Sequence, residues 1–371
     1  MGDKLPVVMR SQETNMWCWA ASGEMIMDFL GSNVSQCDQA NRRFGESECC
    51  LVPVPGKCVL GGWPEFEKYG FAYDRTTSKA VDWNTIVDNI SAKKTPIAFS
   101  WRWLGGGGHM MIVIGYAIIG DAKYVVIHDP WPPNVGATKT ILYDDFVSGP
   151  KYTHWDDFYN IRSNDNPSGG TFGMGEYPGQ IVELFPGQRE ATISVFGAAS
   201  KLLSEISGPG HTPGVLNRSC AIAYVRLDEL VNLASVPGSP DLGAAVQPLL
   251  LGKRPSSIVY SSSSGGPEIT VVQNSDSSEW RTSGFSTPDL FDRLGKVDID
   301  APGSSEATSY AIISIPAVNQ QFVVLPQDGG PLFRALVDDP VCNFRTNESL
   351  TGVELLKRLV VAAQRHDGQP R

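Results

Sequence analysis

The sequence predicts an α+β protein with two domains, and three observations support this fold class. The chain has 371 residues, of which 42% are hydrophobic and 19% charged, which is enough material for more than one core. A proline-free, apolar helical pattern runs from Trp17 to Leu30, and two apolar runs at 110–116 and 124–127 predict a hairpin. Turn-forming residues crowd the segment after Arg162. We therefore predict three parts: a first domain over 1–162, a linker over 163–179 and a second α+β domain over 180–371.

Cys18 stands at the start of the predicted helix, in the run Cys-Trp-Ala-Ala-Ser. The positive end of a helix and an adjacent imidazolium both favour the thiolate, which is the nucleophilic form of cysteine. Gln12 lies six residues upstream, and its side-chain amide can donate a hydrogen bond to the oxyanion of a tetrahedral intermediate. This segment predicts an activated cysteine nucleophile and the chemistry of a thiol hydrolase.

His109 is the candidate base among the five histidines. It follows four glycines, 105–108, which allow close approach of backbone or substrate, and it precedes the first strand of the predicted hairpin. The second strand leads to Asp129, so both residues are expected near the same open end of the hairpin. A carboxylate there can accept the imidazole N–H and stabilise the imidazolium. Trp131 is predicted to shield that hydrogen bond from water.

These motifs resemble those of the papain-like cysteine peptidases. The chain carries Gln-x5-Cys-Trp-Ala-x-Ser from Gln12, His-x5-Gly-Tyr from His109, and a polar residue, Asp129, followed two positions later by Trp131. Residues 58–64, Cys-Val-Leu-Gly-Gly-Trp-Pro, are similar to a longer version of the family's Cys-Asn-Gly-Gly segment. The resemblance spans about residues 5–160, on the usual size of a domain.

The chain departs from the plant-enzyme pattern in three ways. Asp129 replaces the usual Asn, Asn15 replaces the cysteine that usually stands three positions before the nucleophile, and the catalytic part is short. These differences resemble the compact bacterial branch of the family, which includes effector proteases of plant pathogens and bacteriocin-leader peptidases.

The resemblance implies a papain-like domain, in which the helix that carries the cysteine packs on an antiparallel sheet. It implies hydrolysis of protein or peptide substrates through a thioester, with Cys18, His109 and Asp129 as the triad and Gln12 as oxyanion donor. It implies no cofactor and no metal. The expected cleft-lining residues are Gly61, Gly62, Trp63 and Gly108. Two alternatives stay open: an acyltransferase or deamidase of transglutaminase type that uses the same triad, and a catalytically silent protein-binding module.

Two other histidines lie in the same half of the chain. His128 is a rival base, but it adjoins Asp129, and strand alternation should point the two side chains to opposite faces. His154 neighbours Trp155-Asp156-Asp157 and is predicted to lie in a surface loop.

Four of the seven cysteines crowd into a short segment, which contains Cys37, Cys49, Cys50 and Cys58. Disulfides, reduced thiols and a zinc site all stay open for these four, although the spacing lacks the Cys-x2-Cys pairs typical of structural zinc. The adjacent Cys49 and Cys50 are not expected to bond each other, because they are too close for ordinary disulfide geometry.

The net charge of −10, without a Lys/Arg cluster, argues against general binding of nucleic acid or anionic membrane. No run of 18 apolar residues predicts a membrane-spanning helix, and the N-terminus does not read as a secretory signal. We expect a bacterial cytoplasmic protein, or one exported without a cleavable signal peptide.

The second half carries no recognisable set of catalytic residues. Binding of a partner protein is one role that stays open for it. Its pattern predicts a short helix over 227–233. A capping box of Thr351 and Glu354 predicts the start of a terminal helix, which runs to residue 365. The predicted strands are 192–196, 221–225, 257–260, 269–272, 310–315 and 322–325.

Overall fold

The computed structural model describes most of the first half of the chain and separate parts of the second. The described residues are 2–119, 121–164, 216–226, 229, 257–262, 268–273, 280–286, 289–297, 308–325 and 331–364. They fall into two compact units, the first with residues 2–103 and 108–164 and the second with residues 104–107 and those from 216 onward. Among the described residues, no helix has the length and apolarity needed to span a membrane.

The first unit contains the predicted helix that carries the cysteine. α1 runs over Cys18–Phe29, and the predicted start at Cys18 is confirmed. Nine of its twelve residues are buried, because an almost continuous apolar sequence lets it pack on more than one face. α2 (Gln36–Phe44) packs against α1 and begins at Ser35, whose hydroxyl accepts a hydrogen bond from Asp38 N–H (3.2 Å). Two short helices follow, α3 (Trp83–Val87) and α4 (Tyr143–Val147).

An antiparallel sheet forms the other side of the first core. Its main path has the order β6-β5-β4-β3-β8-β2, with β1 paired to β4 and β7 paired to β8. α1 packs against β3 and β4. The strands are β1 (Gly2–Lys4), β2 (Phe71–Arg75), β3 (Ile97–Trp103), β4 (Gly108–Ile119), β5 (Ala122–Asp129), β6 (Ala137–Leu142), β7 (Ser148–Gly149) and β8 (Tyr152–Ser163).

The predicted hairpin is confirmed as β4 and β5, with both strands longer than predicted. Its register pairs Ile112 with His128. His109 lies three residues before Ile112 and Asp129 one residue after His128, so alternation places both on the same face of the sheet. The register therefore brings together two residues that lie 20 positions apart in sequence.

The described strands of the second unit have the order β16-β15-β14-β13-β9-β10-β11-β12, and all adjacent pairs are antiparallel except β13 with β9. The strands are β9 (Leu216–Tyr224), β10 (Ser257–Ser262), β11 (Glu268–Gln273), β12 (Trp280–Ser286), β13 (Thr308–Ile315), β14 (Gln320–Leu325), β15 (Leu332–Ala335) and β16 (Ser349–Thr351). Two helices are described, α5 (Leu290–Lys296) and α6 (Gly352–Gln364).

The terminal capping box is confirmed at the start of α6. Glu354 accepts a hydrogen bond from the Thr351 backbone N–H at 2.9 Å, and Thr351 Oγ1 accepts one from Glu354 N–H at 3.3 Å. Five of the predicted strands correspond to β9, β10, β11, β13 and β14. The predicted strand 192–196, the predicted helix 227–233 apart from residue 229, and the predicted linker beyond residue 164 lie outside the described residues.

Candidate active site

Cys18 is fully buried at the first turn of α1. The backbone N–H of Met110 on β4 donates a hydrogen bond to its Sγ at 3.3 Å. The sulfur therefore lies between the positive end of a helix and a backbone donor from the sheet, and both stabilise negative charge on it. Met110 directly follows His109, so the same strand carries the sulfur's donor and the candidate base.

The imidazole ring of His109 makes hydrogen bonds on both of its sides. Its Nε2 lies 2.6 Å from Asp129 Oδ1, and its side chain also hydrogen-bonds to that of Cys18. Because Nε2 faces the carboxylate, Nδ1 is the ring nitrogen left for the sulfur. The structure thus places Cys18, His109 and Asp129 in one continuous line of contacts.

The charges in this line support an imidazolium. Burial favours the neutral ring, but the Asp129 carboxylate and the interaction with Cys18 outweigh burial and raise the pKa of His109 above its ordinary value.

Asp129 is held by three donors. Oδ1 also accepts the Trp131 backbone N–H at 2.9 Å, and Oδ2 pairs with Lys139 Nζ at 2.5 Å. Burial raises the pKa of Asp129, but Lys139 and His109 outweigh it and hold that pKa well below its usual range. Trp131 thus contacts the carboxylate through its backbone, while shielding by its ring stays a prediction.

Gln12 is fully buried beside the loop that follows Asp129. Its backbone N–H donates to Pro130 O and its carbonyl accepts from Asn134 N–H, both at 3.0 Å. The side-chain Nε2 donates to Thr14 O at 2.7 Å, which uses one of its two hydrogens. Its Oε1 makes no hydrogen bond to any described residue.

Gln36 fixes the backbone on both sides of Gln12. Its Oε1 accepts the Glu13 N–H and its Nε2 donates to Ser11 O, both at 2.9 Å. Sequence reasoning missed this residue, because a glutamine in the first turn of a helix carries no distinctive signal. It belongs to the support of the candidate oxyanion donor.

The four predicted cleft residues are brought together by tryptophans. A Cβ on Gly62 would lie 2.8 Å from the Trp19 ring, and a Cβ on Gly108 would lie 2.8 Å from the Trp155 ring, so only glycine allows these approaches. Trp63 packs edge-on against Trp155, with 5.1 Å between the ring centroids. Gly61 is buried next to Gly62. A contiguous wall, which we call the tryptophan wall, therefore runs from the residue after Cys18 to the residue before His109: Trp19, Gly62, Trp63, Trp155 and Gly108.

Residues 2–141 match the family model described as papain-like cysteine protease AvrRpt2. This part of the chain is a papain-like cysteine protease. No curated protein matches the chain. The match ends within β6, so Trp155 on β8 lies beyond it, although the strand is part of the same unit.

The segment that packs beside Cys18 and its two flanking tryptophans is cross-linked. Disulfides join Cys37 to Cys50 and Cys49 to Cys58, and the adjacent Cys49 and Cys50 are not bonded to each other. The indole N–H of Trp17 donates to Cys58 O at 2.8 Å, and that of Trp19 donates to Leu60 O at 3.2 Å. Both residues that flank Cys18 thus hold the segment that leads to Gly62.

The two other histidines of the protease unit are also buried. His128 donates from Nε2 to Val7 O and accepts at Nδ1 from Thr138 Oγ1, each at 3.0 Å, and burial lowers its pKa to about 4. The prediction for His154 is wrong. It lies within β8, packed against Phe146, where its Nε2 bonds Asp157 and its Nδ1 donates to Phe146 O at 2.9 Å. The acidic neighbours suggested a loop, but one of them is its buried partner.

Lys139 is the other residue that sequence reasoning missed. It lies on β6, and the register pairs Ala137 with Asp129, which sets Lys139 two residues along the same face. A lysine in a polar strand segment is typical of a solvent-exposed face, so only the β5–β6 register reveals the ion pair.

Proposed function

We propose that the protease hydrolyses peptide bonds through a thioester, with Cys18, His109 and Asp129 as its triad. The observation that carries this proposal is that the His109 ring makes two hydrogen bonds, one to Asp129 through Nε2 and one to Cys18 through the other side of the ring. This arrangement is what an acyl-transfer mechanism by a cysteine nucleophile requires.

In the first half of the reaction the Cys18 thiolate attacks the scissile carbonyl carbon. The His109 imidazolium then gives its Nδ1 proton to the leaving amine as the C–N bond breaks. In the second half, neutral His109 takes a proton from water, whose oxygen attacks the thioester and releases the acid and the thiolate. Asp129 keeps the proton on Nε2 and stabilises the charged ring.

Gln12 is the proposed oxyanion donor, together with backbone N–H groups at the start of α1. Its burial, its fixed backbone and its second side-chain hydrogen support this role. Gln12→Ala should lower kcat by about a hundredfold to a thousandfold, with a smaller effect on KM, because one oxyanion donor is worth about 3–4 kcal/mol in the transition state. Unchanged kcat in a folded variant would remove Gln12 from the mechanism.

Labelling with a vinyl-sulfone or epoxide thiol probe tests the nucleophile. Full-length protein should label, and Cys18→Ala should not, although Cys220 and Cys342 remain as cysteines outside the two disulfides. Equal labelling of the two proteins would refute the proposal. Mass spectrometry of a cleaved peptide with an added amine then distinguishes hydrolysis from transfer, since a transferase would give the amide product.

We further propose that residues 1–162 are the catalytic domain and that residues 180–371 recognise the substrate or a partner protein. The separate compact units support this division. Probe labelling and protein cleavage by residues 1–163 can be compared with those of the full chain. Retained labelling with reduced protein cleavage is expected, whereas unchanged cleavage would remove the recognition role.

A further inference from the structure

Each tryptophan of the tryptophan wall carries an arginine over its ring. Arg43 lies 5.5 Å from the Trp19 centroid, Arg75 lies 5.1 Å from that of Trp63, and Arg102 lies 4.3 Å from that of Trp155. Stacking fixes a guanidinium plane and leaves its N–H edge available for a further partner. The wall therefore holds three positive groups beside the proposed site.

The three arginines differ in charge compensation. Arg75 is neutralised by Asp156, whose Oδ2 accepts from Nε at 2.9 Å and from Nη2 at 2.5 Å. Arg43 donates to the backbone oxygen of Trp63 at 3.3 Å. Within the described residues, neither Arg43 nor Arg102 has a carboxylate at ion-pair distance.

Arg102 is the more accessible of these two cations. It is exposed, whereas Arg43 is partly buried against Gly62. The β3–β4 register pairs Arg102 directly with Gly108, one residue before His109. Within the described part of the chain, an exposed guanidinium without an acid partner thus lies over Trp155 and on the same face as Gly108, where the wall ends.

We propose that Arg102, with Arg43 as a second cation along the wall, makes this protease selective for substrates with a carboxylate side chain where the peptide passes Trp155. The inference rests on the proposed function of the site. A guanidinium can bind a carboxylate through two parallel hydrogen bonds, and the tryptophan beneath it orients the plane of its N–H donors. Arg102 determines specificity and takes no part in the proton transfers.

A proteome-derived peptide library, digested by the full-length protein and read by mass spectrometry, tests the proposal. Wild-type protein should enrich Asp or Glu at one position of its cleaved peptides, and Arg102→Glu should lose that enrichment and favour Lys or Arg there. Arg42→Glu is the matched control, because Arg42 is also exposed and lies over an aromatic ring, 5.2 Å from the Tyr69 centroid, but does not lie over a tryptophan of the wall. Its profile should equal that of the wild type.

A defined substrate gives the magnitude. For wild type, replacing the selected Glu by Gln should lower kcat/KM about tenfold, as expected for one charge-assisted hydrogen bond, and added salt should shrink the difference. Arg102→Gln should cleave the two peptides nearly equally.

Probe labelling of Cys18 in every variant distinguishes failure of the selectivity proposal from failure of the proposed function. Wild type that labels and cleaves without acidic preference, or an unchanged profile in Arg102→Glu, overturns the selectivity alone. Wild type that neither labels nor cleaves overturns the proposed function and the selectivity with it.

Discussion

Two buried histidine–aspartate pairs lie in the protease unit, and only one of them contacts the sulfur of Cys18. His109 and His154 are 5% and 6% exposed, and each bonds a carboxylate through Nε2, so neither burial nor the carboxylate distinguishes them. The other side of the ring does. His154 Nδ1 must carry a proton, because it donates to the carbonyl of Phe146, whereas His109 faces the sulfur of Cys18. The third partner of the ring, a backbone carbonyl for His154 and a sulfur for His109, is therefore what distinguishes the two pairs.

Replacing each histidine by glutamine gives the largest expected contrast. His109→Gln should lower kcat/KM at least about a thousandfold, because a triad base is lost, while the melting temperature changes less. His154→Gln should lower stability by about 3 kcal/mol, because Asp157 loses its buried partner, and folded protein should keep its activity. Peptidase assays and thermal unfolding of both variants check this. Comparable catalytic losses from the two changes would abolish the distinction.

Replacing each carboxylate by an amide gives a smaller contrast. Asp129→Asn should reduce kcat/KM about tenfold to a hundredfold, since an amide oxygen can still orient the ring but no longer neutralises it. Asp157→Asn should act on stability, because the lost group also accepts the Val81 N–H at 2.6 Å. Asp129→Leu sharpens the test, and full activity in that variant would exclude Asp129 from the mechanism.

The pH profile separates charge from orientation. Because the pKa of His109 is raised, the imidazolium persists above pH 6.5, and the alkaline limb of kcat/KM should lie well above that value. Asp129→Asn removes the charge that raises this pKa, so the limb should move to lower pH, whereas Asp157→Asn should leave it in place. The profiles of kcat/KM against pH for the three proteins measure this. If the alkaline limb of Asp129→Asn lies at the same pH as that of wild type, the limb reports the titration of a group other than His109.

Lys139 gives the smallest expected effect. It pairs with Asp129 and is about one-third exposed, so the pair is worth about 1 kcal/mol and Lys139→Met should lower kcat/KM up to about fivefold. Lys139→Arg should restore most of the loss. A drop that arginine does not restore would indicate a role for Lys139 beyond its charge.

Much of this arrangement could be predicted from local sequence. The start of α1 at Cys18, the β4–β5 hairpin and the α6 capping box follow from periodicity and turn signals, which act over a few residues. The placement of His128 away from Asp129 followed from strand alternation alone.

The rest depends on long-range register. Lys139 reaches Asp129 only through the β5–β6 pairing, and Trp155 reaches Gly108 through the packing of β8, a strand near the end of the unit. His154 was misplaced because acidic neighbours suggest exposure, whereas tertiary packing buried the whole strand segment. Pairings between distant segments leave no local signature, and this is why sequence reasoning missed the supports of the site more than its central residues.

The central claim is the ion pair between Cys18 and His109, and the rate of Cys18 alkylation by iodoacetamide tests it most directly. The rate is measured against pH in wild type and in His109→Gln, with Cys18→Ala as the baseline. Because the His109 ring contacts the sulfur and favours its reactive form, loss of the ring should slow alkylation at neutral pH and change the shape of the pH profile. Identical profiles with and without the His109 ring would contradict the ion pair on which the mechanism depends.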